Sequence, residues 1–155
     1  MSTEILVPAP RPCESCPYRQ DVPSGVWGAS EYAKLALYDQ ETASQPPGLF
    51  QCHQHDATTG KQLPRVCAGW AGVHGRQTGK HGLLSLRIAL ALDRLTVAQV
   101  QAICEYDSPT PLFASGREAC EHGVRGLLDP SAEARRIQGK IVRLRSDIEM
   151  EEPPW

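Results

Sequence analysis

Cysteine placement is the feature that most constrains this chain. Pro12-Cys13-Glu14-Ser15-Cys16-Pro17 carries a C-x-x-C pair, Phe50-Gln51-Cys52-His53 carries a third cysteine, and Cys67-Ala68-Gly69-Trp70 a fourth. Prolines and glycines punctuate the segment that joins them, and it has little apolar periodicity. Such a stretch cannot build a core from its own residues and needs a staple. One metal ion held by Cys13, Cys16, Cys52 and Cys67 would supply it, because metal binding contributes folding free energy that a poor local core cannot. The alternative is a set of buried free thiols, a common fate of cysteine.

The identity of the metal stays open between zinc and a [4Fe–4S] cluster. Zinc asks only for tetrahedral thiolates, but its ligands usually come in close pairs, whereas fourteen residues separate Cys52 from Cys67. The cysteine spacings do not fit the ferredoxins either. A cluster tolerates ligands from separate loops, and Trp27, Phe50 and Trp70 would shield it. His53 and His55 flank Cys52 and are alternative donors, with surface positions the simpler role for both. Cys104 and Cys120 lie on helical patterns and read as buried thiols. A thioredoxin-like dithiol wants its C-x-x-C at a helix start after a strand; here a proline arm precedes the pair and Pro17 and Pro23 follow it. No nucleophile motif surrounds Cys52 or Cys67, so no enzyme is expected.

At 155 residues the chain is read as one domain: an extended arm over 1–12, a cysteine-containing module over 13–82 and a helical part over 83–150. Its 41% hydrophobic and 22% charged content is that of an ordinary globular protein. The net charge of −2 gives no global reason to expect nucleic acid or an anionic membrane. The N-terminus has no basic region ahead of an apolar run, and Leu83 to Leu92 is too short to span a bilayer, so a cytoplasmic location is expected.

The fold class expected is mainly α, with an irregular metal-stapled N-terminal half and a short β-hairpin. Ser30 is the N-cap candidate for a helix to Tyr38. Strands around Phe50-Gln51-Cys52 and Arg65-Val66-Cys67 flank the turn-rich Thr58-Thr59-Gly60-Lys61, and a turn centred between Thr59 and Gly60 sets Cys52 directly opposite Cys67, although Pro64 limits the pairing. Gly72 to Gly82 reads as loop. Leu83 to Arg94 is apolar nearly all round, as in a central buried helix. Thr96 and Gln99 stand at capping-box spacing ahead of a helix to Asp107, with Val97, Val100, Ile103 and Cys104 on one side. Ser115 and Glu118 offer a second box for a helix to Leu128 that Gly123 and Gly126 weaken. Asp129-Pro130 caps a last helix to about Met150, whose apolar stripe is Ile137, Ile141, Leu144 and Ile148. Its arginines could border a homodimer seam over 130–150 or a nucleic-acid face; packing on its own domain is the plainer outcome.

Taken together, Pro12-Cys13, Cys16-Pro17-Tyr18-Arg19, Asp21 to Trp27, Gln45-Pro46, Phe50, Cys52-His53, Cys67, Gly69-Trp70 and Pro111-Leu112-Phe113 resemble an uncharacterised family of small cysteine-containing proteins of actinobacteria and their phages. That resemblance implies an intracellular protein borne by a phage or mobile element, and implies no activity. Cys16-Pro17-Tyr18-Arg19 and Gly25-Val26-Trp27-Gly28 are also similar to the C-P-V-R and G-V-W-G segments of WhiB-like iron–sulfur regulators. The latter carry a further cysteine six residues after the C-x-x-C, where this chain has Val22. The function expected is a small metal-binding accessory protein with a protein partner, and the alternative is a cluster-bearing, redox-sensing DNA-binding regulator.

Overall fold

The computed structural model describes residues 4–52 and 64–144, with side chains as far as Val142. Among these residues six α-helices follow one another: α1 (Ala29–Leu37), α2 (Ala68–His74), α3 (Leu84–Ala91), α4 (Val97–Cys104), α5 (Gly116–Val124) and α6 (Ala132–Leu144). Two 3-10 turns, Thr42–Ser44 and Gly79–His81, lie between them. Among the described residues there is no regular strand, and three isolated bridges stand in for a sheet: Leu6 with Arg65, Arg19 with Leu112 and Gln51 with Val66. No helix among these residues is long and apolar enough to cross a membrane.

Helix α1 buries Tyr32 and Leu35 against α5. Their close approach explains Gly123, which propensity alone treats as a weakness in α5. A Cβ there would stand 2.5 Å from Tyr32 Cζ and closer still to two other ring atoms. The ring cannot swing aside, because the Tyr32 hydroxyl accepts the N–H groups of Val26 and Trp27 at 3.0 and 3.1 Å.

Local signals held where both partners lie within one turn. The Thr96–Gln99 capping box is complete at 3.1 and 2.8 Å. Ser115 caps α5 by accepting the Glu118 N–H, whereas the Glu118 carboxylate takes the N–H of Ala114 instead of closing the box. Other boundaries moved. α1 starts one residue before Ser30, with Gly28 at its cap and no side-chain cap. α3 ends at Ala91 because Asp93 turns to φ 55°, where a short polar residue is tolerated, and Arg94 and Leu95 then donate back to Ala89. Nor is α3 buried all round: Ser85, Leu86 and Ala89 face inward while Leu92 beyond its end is 64% exposed. α4 stops at Cys104 and leaves Val97 73% exposed, outside the expected stripe. α5 stops at Val124, and Ser131, not Asp129, caps α6 by accepting the Ala134 N–H at 3.1 Å. The expected loop from Gly72 begins as the last turn of α2.

The strands expected at Phe50 and Val66 pair only at the Gln51–Val66 bridge, and two residues out of the expected register. Cys52 N–H donates to Arg65 C=O and Cys67 N–H to Phe50 C=O, at 2.7 and 2.8 Å, so Cys52 faces Arg65 and Cys67 faces Phe50. The turn between Thr58 and Lys61 lies outside the described residues. The register is set in part by the N-terminal arm: Leu6 N–H donates to Pro64 and Val66 N–H to Leu6, while Ile5 is buried.

Residues 13–25 contain no helix or strand, and beyond three local turn bonds they take backbone partners from far along the chain. Gln20 N–H donates to Pro111, Phe113 N–H to Tyr18, and Gly25 N–H to Gly123. A continuous apolar cluster, including Val22, Val26, Trp27, Trp70, Ile103, Ala134, Ile137 and Ile141, closes around this segment. The stripe of α6 is therefore buried in the chain's own core as far as Ile141. Its basic residues turn to the C-x-x-C loop: Lys140 and Arg136 reach the Glu14 carboxylate at 2.9 and 3.8 Å, and the Gln138 amide donates to Gly25 C=O.

Candidate functional site

Residues 13–16 form a turn closed by the Cys16 N–H on the Cys13 carbonyl at 3.0 Å. Three side chains fix the turn from outside. The Arg19 guanidinium, itself forked onto Asp21 at 2.7 Å, donates to the Pro12 and Cys13 carbonyls. Trp27 Nε1–H donates to the Ser15 carbonyl at 2.8 Å, and Lys140 holds Glu14. Ser15 and Cys16 are buried, whereas Cys13 is half-buried.

Helix α2 brings the next thiol. Cys67 is its N-cap residue, with Sγ accepting the Trp70 N–H at 3.5 Å. One residue into the helix, Gly69 lets the backbone lie directly on the C-x-x-C loop: a Cβ there would come under 3 Å from Cys16 Sγ and 2.9 Å from Tyr18 Cβ. The Cys16 thiol has the Cys13 and Cys67 thiols as its neighbours. Burial, then these two neighbours, push it well above the usual thiol range. Adjacent thiols cannot all ionise in an apolar setting without a cation among them. Cys52 is buried as well, and the observed register puts it diagonally from Cys67 on one face of the bridged pair.

Of the four cysteines that the sequence singles out, the fold makes Cys13 and Cys67 neighbours of Cys16, with Cys52 diagonal to Cys67. No group of three or more His, Cys, Asp or Glu side chains among the described residues could hold an ion as it stands. His53 and His55 lie outside the described residues. Cys104 and Cys120 belong to α4 and α5, where burial and a neighbouring carboxylate, Glu105 or Glu121, raise their thiols.

Sequence reasoning missed His74, which showed no spacing to the cysteines yet sits fully buried behind them. The signal was present: Trp70 and His74 stand one helical turn apart on α2. Tyr18, Tyr38, Phe50, Trp70 and His74 pack as an aromatic wall, with Tyr38 edge-on to Trp70 at 5.4 Å and Tyr18 edge-on to Phe50 at 5.8 Å. Proton positions in the wall follow from Gln77, whose amide nitrogen donates to the Tyr38 and His81 carbonyls, both at 2.8 Å. Its amide oxygen must then accept from His74 Nδ1, which leaves Nε2 to accept the Tyr18 hydroxyl at 3.1 Å. Burial holds His74 below the ordinary histidine range, against the pull of Gln77 and of Asp39. Asp39 in turn caps α5 from outside, accepting the N–H groups of Gly116 and Arg117 at 3.0 and 2.8 Å. His122 is accounted for by its bond to the Val22 carbonyl and its contact with Phe113.

Fold and site together define a mainly helical protein in which two thiols of an irregular loop and one at the start of α2 lie beside an aromatic wall. The model of a family of unknown function, DUF6283, matches residues 8–145, and the chain belongs to that family. No curated protein and no solved structure matches it. Neither the family nor the arrangement of side chains points to catalytic activity.

Proposed function

We propose that this chain is a small cytoplasmic metal-binding accessory protein in which Cys13, Cys16, Cys52 and Cys67 hold one zinc ion that staples the N-terminal half. The observation that carries this is the buried Cys16 thiol, which neighbours Cys13 on its own turn and lies against the backbone of α2 just beyond Cys67. Thiols in such contact suit a single ion. A [4Fe–4S] cluster would have to sit between them and push them apart, and the Gly69 backbone against Cys16 leaves little room for it. Zinc is therefore favoured over the cluster, and with it an interaction protein over the WhiB-like regulator. The basic residues that a DNA-binding face would need are in part engaged elsewhere, Arg136 and Lys140 on Glu14.

The test is metal analysis and an absorption spectrum on anaerobically purified chain. One zinc per colourless chain is expected, lost in Cys52→Ser and Cys67→Ser and kept in Cys104→Ser. A brown protein with iron and sulfide would replace zinc by the cluster and reopen the regulator, with a low-salt DNA titration as its next check. Metal-free wild type, or equal metal loss in all three variants, would refute the four-cysteine site.

A further inference from the structure

The four cysteines differ in access and in reach. Cys16, Cys52 and Cys67 are closed off, whereas Cys13 is half-buried. A small oxidant arriving from water therefore meets Cys13 before the other three. The closest sequel is Cys16. Its N–H bond to the Cys13 carbonyl makes 13–16 a β-turn, and such a turn keeps its outer Cα atoms within about 7 Å, overlapping the roughly 4.4–6.8 Å that a disulfide spans. The two thiols are neighbours, Cys13 being one of the groups that raise the Cys16 thiol. Arg19, Trp27 and Lys140 hold the turn in this shape from three sides. Cys67, the other neighbour of Cys16, is tied into the cap of α2 and is itself buried. Cys104 and Cys120 are half-buried too, but their surroundings offer a carboxylate instead of a second thiol.

We propose that Cys13 and Cys16 are an oxidation site for hydrogen peroxide, with Cys13 as the attacking and Cys16 as the resolving thiol. Cys13 sulfur attacks one peroxide oxygen, the O–O bond breaks, and the departing hydroxide takes the Cys13 proton and leaves as water. Cys13 is then a sulfenic acid. Cys16 sulfur attacks it, the S–O bond breaks, and hydroxide leaves with the Cys16 proton as a second water. One S–S bond has formed, and the two sulfurs have given two electrons to the two peroxide oxygens. Pairing of the two thiols deepens the proposed function and rests on it only for the fate of the metal: an ion bound by four thiolates loses two of them and is released with its oxidation state unchanged, the two protons then coming from solvent.

The full chain, reduced and freed of reductant, is treated with one equivalent of hydrogen peroxide, alkylated and digested with trypsin. The peptide ending at Arg19 contains both cysteines, since no lysine or arginine lies between them. It is expected to escape alkylation and weigh two hydrogens less than the dithiol peptide, to regain them with dithiothreitol, and to do so before Cys52 or Cys67 changes. In Cys16→Ser, Cys13 is expected to stop at a sulfenic acid that a dione probe traps, a readout that a merely structural cysteine would not give. An unchanged 13–16 peptide beside oxidation elsewhere, or a Cys13–Cys67 cross-link as first product, overturns the proposal. A chromogenic chelator in the same reaction separates the two readings. Pairing in a chain that never held metal supports the oxidation site and sinks the zinc site, whereas zinc that stays bound while the pair forms sinks the release step.

Discussion

Replacing Gly69 by alanine adds one methyl group where α2 meets the C-x-x-C loop. On propensity alone the change is favourable by up to about 1 kcal/mol, less in a first turn. Sterically it is not. The new Cβ would stand 2.9 Å from Tyr18 Cβ and 3.2 Å from Tyr18 Cδ2, where ordinary contact begins at 3.4 Å, and within 3 Å of Cys16 Sγ. A sulfur alone could rotate away, but Tyr18 cannot retreat by half an ångström without moving its ring. That ring is fully buried, edge-on to Phe50 and His74, with its hydroxyl on His74. Overpacking of this kind costs about 1–3 kcal/mol. Set against the propensity gain, Gly69→Ala should lose about 1–2 kcal/mol, or roughly 2–8 °C of melting temperature for a chain of this size. Urea unfolding of the metal-free chain measures the first figure, and alkylation of native protein reports whether the Cys16 thiol has been pushed into reach. A midpoint equal to or above that of the unaltered chain would show that α2 does not lie on the loop as described.

Gly123→Ala should also destabilise, by about 1–2 kcal/mol, because the clash with the Tyr32 ring outweighs the helix gain; in a double-mutant cycle with Tyr32→Phe the two changes should couple, and strict additivity would argue against the contact. Thr96→Ala should cost about 1 kcal/mol in thermal unfolding by opening the capping box of α4, and no change would mean that the box carries nothing. For His74, burial lowers the folded pKa, so below about pH 6.5, the value of an unfolded histidine, the unfolded chain binds the extra proton and stability falls as pH drops toward the lowered folded value. Melting temperatures from about pH 7.5 to 5 should fall more steeply for the unaltered chain than for His74→Gln, and parallel curves would refute the assignment.

What could be read in advance depends on the range of each interaction. The Thr96–Gln99 box and the Ser115 cap join residues three apart, so spacing alone revealed them. Gly123 and Gly69 were misjudged or passed over because their reasons, Tyr32 and Cys16, lie elsewhere in the chain. The association of Cys67 with the C-x-x-C pair was legible from the scarcity of other staples in a proline-rich segment. The register at Cys52 was not, since Leu6, bonded to Pro64 and Val66, helps to set it from outside the hairpin. His74 is hidden in the sequence because the glycine-rich stretch from Gly72 reads as loop and the residues up to Trp70 as hairpin, which conceals its place one turn beyond Trp70. The sequence carried no motif that names a partner or process, and membership of the family adds none.

Besides the turn bonds within it, the loop of residues 13–25 is bonded to Pro111, Phe113, Gly123 and Gln138. Each of those bonds closes a long stretch of chain, and the entropy of closure must be met before any of them forms. Helices of eight or nine residues are marginal on their own, so α1 and α5 cannot wait for the loop as finished parts. Rates of two-state folding track the mean separation of contacts along the chain, not helix content. This chain is therefore expected to refold with the tempo of a β-rich protein, in milliseconds to seconds, with burial of Trp27 among its last events.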